Sequence, residues 1–232
     1  MTTTIGTTTE AVYRLLAWLS PSYPTGAFSY SHVIEYAVEA GLVRDRPSLV
    51  AWIEHILRHG AGWADAVLFA RAYEAATAAD DAALDDIADY AAALRATSET
   101  ALETTQQGAA FLAVTRAAWP DERLDRLAAR RAGAPVTLPI ALAVAAAGRV
   151  EQRPALVGLL HGFAAALVSA GVRLVPLGQT DGQRATADLA ATVLAVADAA
   201  LACPLERLGM AAPMVDWTSM KHETQYTRLF RS

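Results

Sequence analysis

With 54% hydrophobic and only 19% charged side chains over 232 residues, the chain can bury a substantial core and is not a disordered protein. Lysine and arginine total 19 against 24 acids, a net charge of −5, and no basic face able to neutralise phosphates is evident, which excludes a general nucleic-acid binder. The single cysteine, Cys203, excludes an internal disulfide framework and suits a reducing cytoplasm.

Much of the apolar fraction is alanine, a strong helix former whose small side chain lets helices approach closely, so the expected class is all-α. Residues Met1 to Thr9 are threonine-rich, with neither a basic nor an apolar run of the secretory type. Val12, Leu15, Leu16 and Leu19 then recur at helical spacing and predict a first amphipathic helix over Thr9 to Leu19. The stretch from Ser20 to Gly26, with Pro21 and Pro24, stops it. Helix is predicted again from Phe28 to Ala40, with Gly41 after it, and from Pro47 to Gly60.

Asp65 to Thr77 and Asp81 to Leu94 read as two alanine-rich helices, and Ser98 starts a longer one that ends before Pro120. Asp121 to Ala132 is the most charged segment, either an exposed helix or a mobile connection. Pro135 to Gly148 and Pro154 to Gly171 are almost wholly apolar and should form the core pair. The uncharged run from Pro154 to Val172 approaches the roughly 20 residues that span a bilayer, but His161, Ser169 and its glycines favour a buried central helix. A last long helix is expected from Thr186 to Ala202, and Leu205 to Trp217 is mixed. With no repeat and no low-complexity linker, the simplest organisation is one domain over 1–232. It would be a compact bundle of about nine or ten helices, with flexible tails at 1–8 and 218–232.

Few residues point to catalysis. No glycine-rich phosphate loop ending in Gly-Lys-Ser/Thr is present, nor a Gly-x-Ser-x-Gly elbow, and Cys203 beside Pro204 reads as a core residue. His55 and His59, four apart on a predicted helix, share a face at a spacing metals use, but no third ligand is near in sequence. His32 and Glu35, with Tyr30 and Tyr36 nearby, could be a general acid/base pair or an ordinary helix-surface pair. The end of the chain from Met220 to Ser232 turns polar and basic yet keeps Tyr226, Leu229 and Phe230 beside Arg228 and Arg231. Arginine interleaved with aromatic groups suits a docking peptide; a last helical turn folded back on its own core is the other reading.

Three ordered blocks carry a resemblance. Leu19 to Glu35, with its Ser-Pro start and Pro-Thr-Gly-Ala-Phe-Ser-Tyr-Ser centre, resembles the N-terminal signature of UreF-type urease accessory proteins. Arg173 to Gln179 with Gly182 and Gln183 is similar to that family's second block, and Met220 to Ser232 to its third. Ala27 stands where a second glycine is common, Gln106 where arginine is usual, and Gly133-Ala134 lacks the histidine often found before Pro-Val.

The resemblance implies an all-helical, homodimeric, cytoplasmic and non-enzymatic chaperone without a cofactor of its own. Such a protein would join a UreD/UreH-type scaffold, a UreG-type GTPase and apo-urease during nickel insertion, with its C-terminal tail ordering against the scaffold. On matching positions it points to Phe28, Ser29, Tyr30, Glu35, Arg173, Gln179 and Gln183 as partner-binding residues. In the tail it points to Lys221, His222, Glu223, Tyr226, Arg228, Leu229, Phe230 and Arg231. A nickel-binding metallochaperone acting through His55 and His59 is the alternative.

Overall fold

Short polar side chains cap five of the helix starts in the computed structural model, which describes residues 8–232. Thr8 accepts the Ala11 amide hydrogen and opens α1 (Thr9–Trp18); Asp80 does the same for α5 (Asp81–Ala93), and Thr97 for α6 (Ser98–Ala118). Asp45 and Ser48 form a reciprocal capping box ahead of α3 (Arg46–His59), with Pro47 in the first turn where its missing N–H costs nothing. Pro139 in α8 (Leu138–Ala146) and Pro213 in α11 (Pro213–His222) occupy equivalent places.

The core forms around α4 (Ala61–Ala78) and α8. Every residue of α8 from Pro139 to Ala146 is buried, and α4 buries Leu68 and Phe69 along an alanine-lined surface. Alanine faces let these two helices lie against each other closely, with α3, α5, α9 (Gln152–Leu174) and α10 (Gln179–Ala202) around α4, and α6 and α7 (Glu122–Arg130) against α8. At α6 the approach is tightest: a methyl on Gly108 would lie 2.1 Å from the Val136 carbonyl oxygen. The all-α class read from composition is therefore the observed one, with no strand among the described residues. Both α9 and α10 are long and apolar enough to cross a membrane, and they pack against one another and the core.

The structure corrects several sequence expectations. The helix expected from Phe28 to Ala40 is a 3-10 turn (Ala27–Ser29) and a short α2 (Ile34–Glu39), separated by His32 and Val33 in the left-handed region at φ 50° and 59°. A buried β-branched residue with positive φ is a strained backbone, at a cost of about 1–3 kcal/mol. Asp121 to Ala132 is neither exposed nor mobile throughout, because α7 buries Leu124 and Leu127. Helix α10 begins at Gln179 rather than Thr186. The expected flexible stretch at 1–8 lies, apart from Thr8, outside the described residues. The expected flexible tail at 218–232 is instead packed: α11 runs through to His222, and Phe230 and Ser232 are buried against the body.

Asp121 illustrates how charge secures a connection. Its carboxylate caps α7 by accepting the Arg123 amide hydrogen at 2.9 Å and pairs with Arg149 at 2.6 Å. Burial pushes its pKa up, but Arg149, Arg123 and the cap together outweigh burial and hold it below the ordinary value. A lowered folded-state pKa stabilises fully above the unfolded value, about 3.9, and that contribution is lost as pH falls through the folded one. Asn caps as well as Asp, so Asp121→Asn isolates the ion pair. Its deficit in urea unfolding, on the order of 1 kcal/mol at neutral pH, is expected to vanish below that range; a deficit independent of pH would refute the assignment.

Candidate functional site

Glu35, in the first turn of α2, is placed by the strained His32–Val33 turn against the chain's C-terminal segment. One of its oxygens accepts the Leu229 amide hydrogen at 2.6 Å; the other accepts the Phe230 amide hydrogen at 3.0 Å and faces His222 Nε2 at 3.2 Å. Glu99, in the first turn of α6, takes the other side of the same ring at 2.7 Å and accepts from Arg228 at 2.9 Å. His222 is completely buried between the two carboxyl groups, one ring nitrogen facing each. Polar groups removed from water persist only when they are hydrogen-bonded, as these are.

The last residues add main-chain pairing. The Ser31 amide and hydroxyl both donate to a main-chain oxygen of Ser232, at 2.8 and 2.6 Å, and the Arg231 amide donates to the Ser29 carbonyl at 2.8 Å. The Ser232 hydroxyl donates to Glu103 at 2.8 Å, on the oxygen that His32 Nδ1 also approaches at 3.3 Å. Above this lies a stack: the Arg173 guanidinium sits 3.9 Å from the centre of the Phe28 ring and 4.3 Å from that of Phe230. It also donates to the Phe28 and Ser169 carbonyls, and partial burial pulls its pKa below the usual arginine value without discharging it. Arg231 lies 5.7 Å from the centre of the Tyr30 ring. Farther up, Glu223 accepts from Ser98, and Trp217 of α11 meets Tyr36 of α2 edge-on.

Phe28, Ser29, Tyr30, Glu35, Arg173, His222, Glu223, Arg228, Phe230 and Arg231 thus converge on one junction. Their partners differ from the sequence reading in one respect: Glu35, His222 and Phe230, the last 4% exposed, are spent on holding the tail to its own body. Lys221, Tyr226 and Leu229 point outward, Tyr226 fully exposed and Leu229 at 65%. Gln179 and Gln183 are exposed on the first turns of α10. Sequence reading missed Ser31, Glu99, Glu103 and Ser232. A signal existed for the acids: Glu99, Glu103 and Gln107 recur every fourth residue, and all three are buried on one face of α6.

The alternatives fare as follows. His32 lines an internal cavity together with Asp65, whose pKa burial pushes up, but both oxygens of Glu35 are taken by the tail, so His32 and Glu35 form no free acid/base pair. His55 and His59 are exposed on α3 with ring centres 5.2 Å apart, and no group of three or more His, Cys, Asp or Glu that could hold a metal is present among the described residues.

Acids matched to amide and guanidinium donors hold the chain's own C-terminal segment in place, and the class that this frame defines is an all-helical protein with a docked C-terminal segment. Comparison with known proteins narrows it. The UreF family model matches residues 43–190. A urease accessory protein UreF from Granulibacter bethesdensis is 51% identical over 230 residues, covering 99% of this chain and 97% of its own length. Those of Rhodopseudomonas palustris and Bradyrhizobium diazoefficiens are 49% and 46% identical over 223 residues, covering 96% of this chain and 94% and 92% of theirs. The chain belongs to the UreF family of urease accessory proteins, which serve urease maturation as accessory factors rather than as catalysts.

Proposed function

We propose that the chain is a cytoplasmic, homodimeric adaptor that joins a UreD/UreH-type scaffold, a UreG-type GTPase and apo-urease while nickel is delivered as cargo. It contributes contacts and no chemistry of its own. The observation that supports this reading most is the docked C-terminal segment, whose main chain is gripped by the body while Tyr226 and Leu229 stand out from it. Large apolar groups held outward beside arginines are the material of interface hot spots. An ordered tail also avoids the entropy that a free peptide loses on binding.

The test separates outward anchors from inward ones. A Tyr226→Ala/Leu229→Ala double variant should reduce co-purification with the scaffold protein at least tenfold, with helical content and melting temperature unchanged. Undiminished co-purification would end the docking role of this surface. Phe230→Ala is a poor probe of the interface, since it also removes the ring that stacks under Arg173.

A further inference from the structure

The contact between the C-terminal segment and the body carries a proton requirement. His222 Nδ1 lies 2.7 Å from a Glu99 oxygen and Nε2 lies 3.2 Å from a Glu35 oxygen, each within hydrogen-bond reach. A hydrogen bond needs one proton between its heavy atoms, so the two contacts need two. A neutral imidazole facing two carboxylates brings only one. The other contact would then set a nitrogen lone pair against a carboxylate oxygen inside a buried site, because His222 and both acids are buried.

The count does not depend on where the second proton sits. On the ring it makes an imidazolium, and on either acid it makes a carboxyl O–H that donates to the ring; interacting groups titrate as a set. The remaining donors of the junction do not replace it. The Leu229 and Phe230 amides and the Arg228 guanidinium approach carboxyl oxygens and leave the ring nitrogens as they are. Charge points the same way: Glu35 of α2, Glu99 of α6, His222 of α11 and Arg228 of the tail are neutral as a set with the second proton, and carry one buried negative charge without it.

Neighbouring titratable groups are engaged elsewhere. Glu39 of α2 accepts from Gln225, Glu223 accepts from Ser98, and Lys221 is exposed. Glu103, one turn along α6, faces His32, which makes one carboxyl contact rather than two and so needs no added proton; Asp65 pairs with Arg95. We propose that the junction is a proton-dependent latch: the C-terminal segment docks with one proton more than the separated groups carry, and rising pH releases it. A freed histidine titrates at its ordinary value, about 6.5. The docked state binds the more protons, so the latch holds in full below that value and weakens above it, by up to roughly tenfold per pH unit. The latch is a property of this chain alone and stands or falls separately from the partner reading.

Hydrogen exchange of the full chain, corrected for the intrinsic pH dependence of amide exchange, reads the latch at Leu229 and Phe230. Their opening should increase roughly tenfold between about pH 7 and pH 8, while α4 and α8 stay protected. Glu99→Gln is the discriminating variant. Its side-chain amide donates to Nδ1 and its oxygen still accepts from Arg228, so both ring contacts are met by a neutral imidazole. Opening in that variant should be independent of pH over the same range. If the variant instead leaves the segment detached at every pH, the slope of the parent chain decides alone. Parent opening that does not change with pH, or a docked Glu99→Gln segment as pH-sensitive as the parent's, would overturn the proposal.

Discussion

Glu35→Ala should detach residues 228–232 from the body while leaving the bundle folded. Glu35 is 7% exposed and its two oxygens serve two amide hydrogens and one side of the His222 ring, so truncation strands three donors at once. Removing one member of a buried ionic cluster costs about 3 kcal/mol or more, because the partners lose their compensation along with the contact. The tail has an escape that a core residue lacks: its amides reach water by peeling away. The loss is therefore capped at the tail's own docking energy and appears as local opening. Hydrogen exchange at Leu229 and Phe230 should accelerate roughly a hundredfold. Exchange in α4 and α8 should hardly change. If the Leu229 and Phe230 amides stay as protected as in the parent chain, the carboxylate is not what holds the segment.

Gly108→Ala should act on the whole fold. In an ordinary helix interior this change gains up to about 1 kcal/mol from propensity, so intrinsic preference and packing predict opposite signs. Packing should win, because the added methyl would lie 2.1 Å from the Val136 carbonyl oxygen, 2.5 Å from the Thr137 carbonyl carbon and 2.7 Å from the Leu138 nitrogen. All three atoms are main chain at the start of α8, so relief requires α6 and α8 to move apart. Gly171 offers a contrast: a methyl there meets only the end of the Leu49 side chain, which can rotate. A loss of about 3 kcal/mol at Gly108 lowers the melting temperature of a domain this size by roughly 10 °C. A melting temperature unchanged or raised would show that the two backbones are not pressed together.

How far the sequence revealed this arrangement varied with how local the determining forces are. Helix starts were readable at Pro47, Asp81 and Ser98 because the capping groups lie within a turn of the residues they cap. The burial of α8 was readable because its whole circumference is apolar. The break at His32 and Val33 was not, since a β-branched residue resists a left-handed backbone and adopts it only under tertiary constraint. Helix α11 escaped notice for another reason. It buries Val215, Thr218, Ser219 and His222 at helical spacing, but three of those four are polar, and a search for apolar periodicity passes over them. The three signature blocks are separate stretches of the sequence. They did not reveal that the first and third meet each other, as Glu35 and Ser31 do with Leu229, Phe230 and Ser232.

The C-terminal segment is gripped largely through its peptide groups at Leu229, Phe230, Arg231 and Ser232, with buried anchors at His222 and Phe230. Peptide groups are the same whatever side chain they carry. The outward side chains at 226 and 229 can therefore be exchanged with little consequence for how the segment lies, as letters are changed in a fixed type bed. Under the proposed docking role, partner preference could be rewritten at those two positions without rebuilding the protein that displays them.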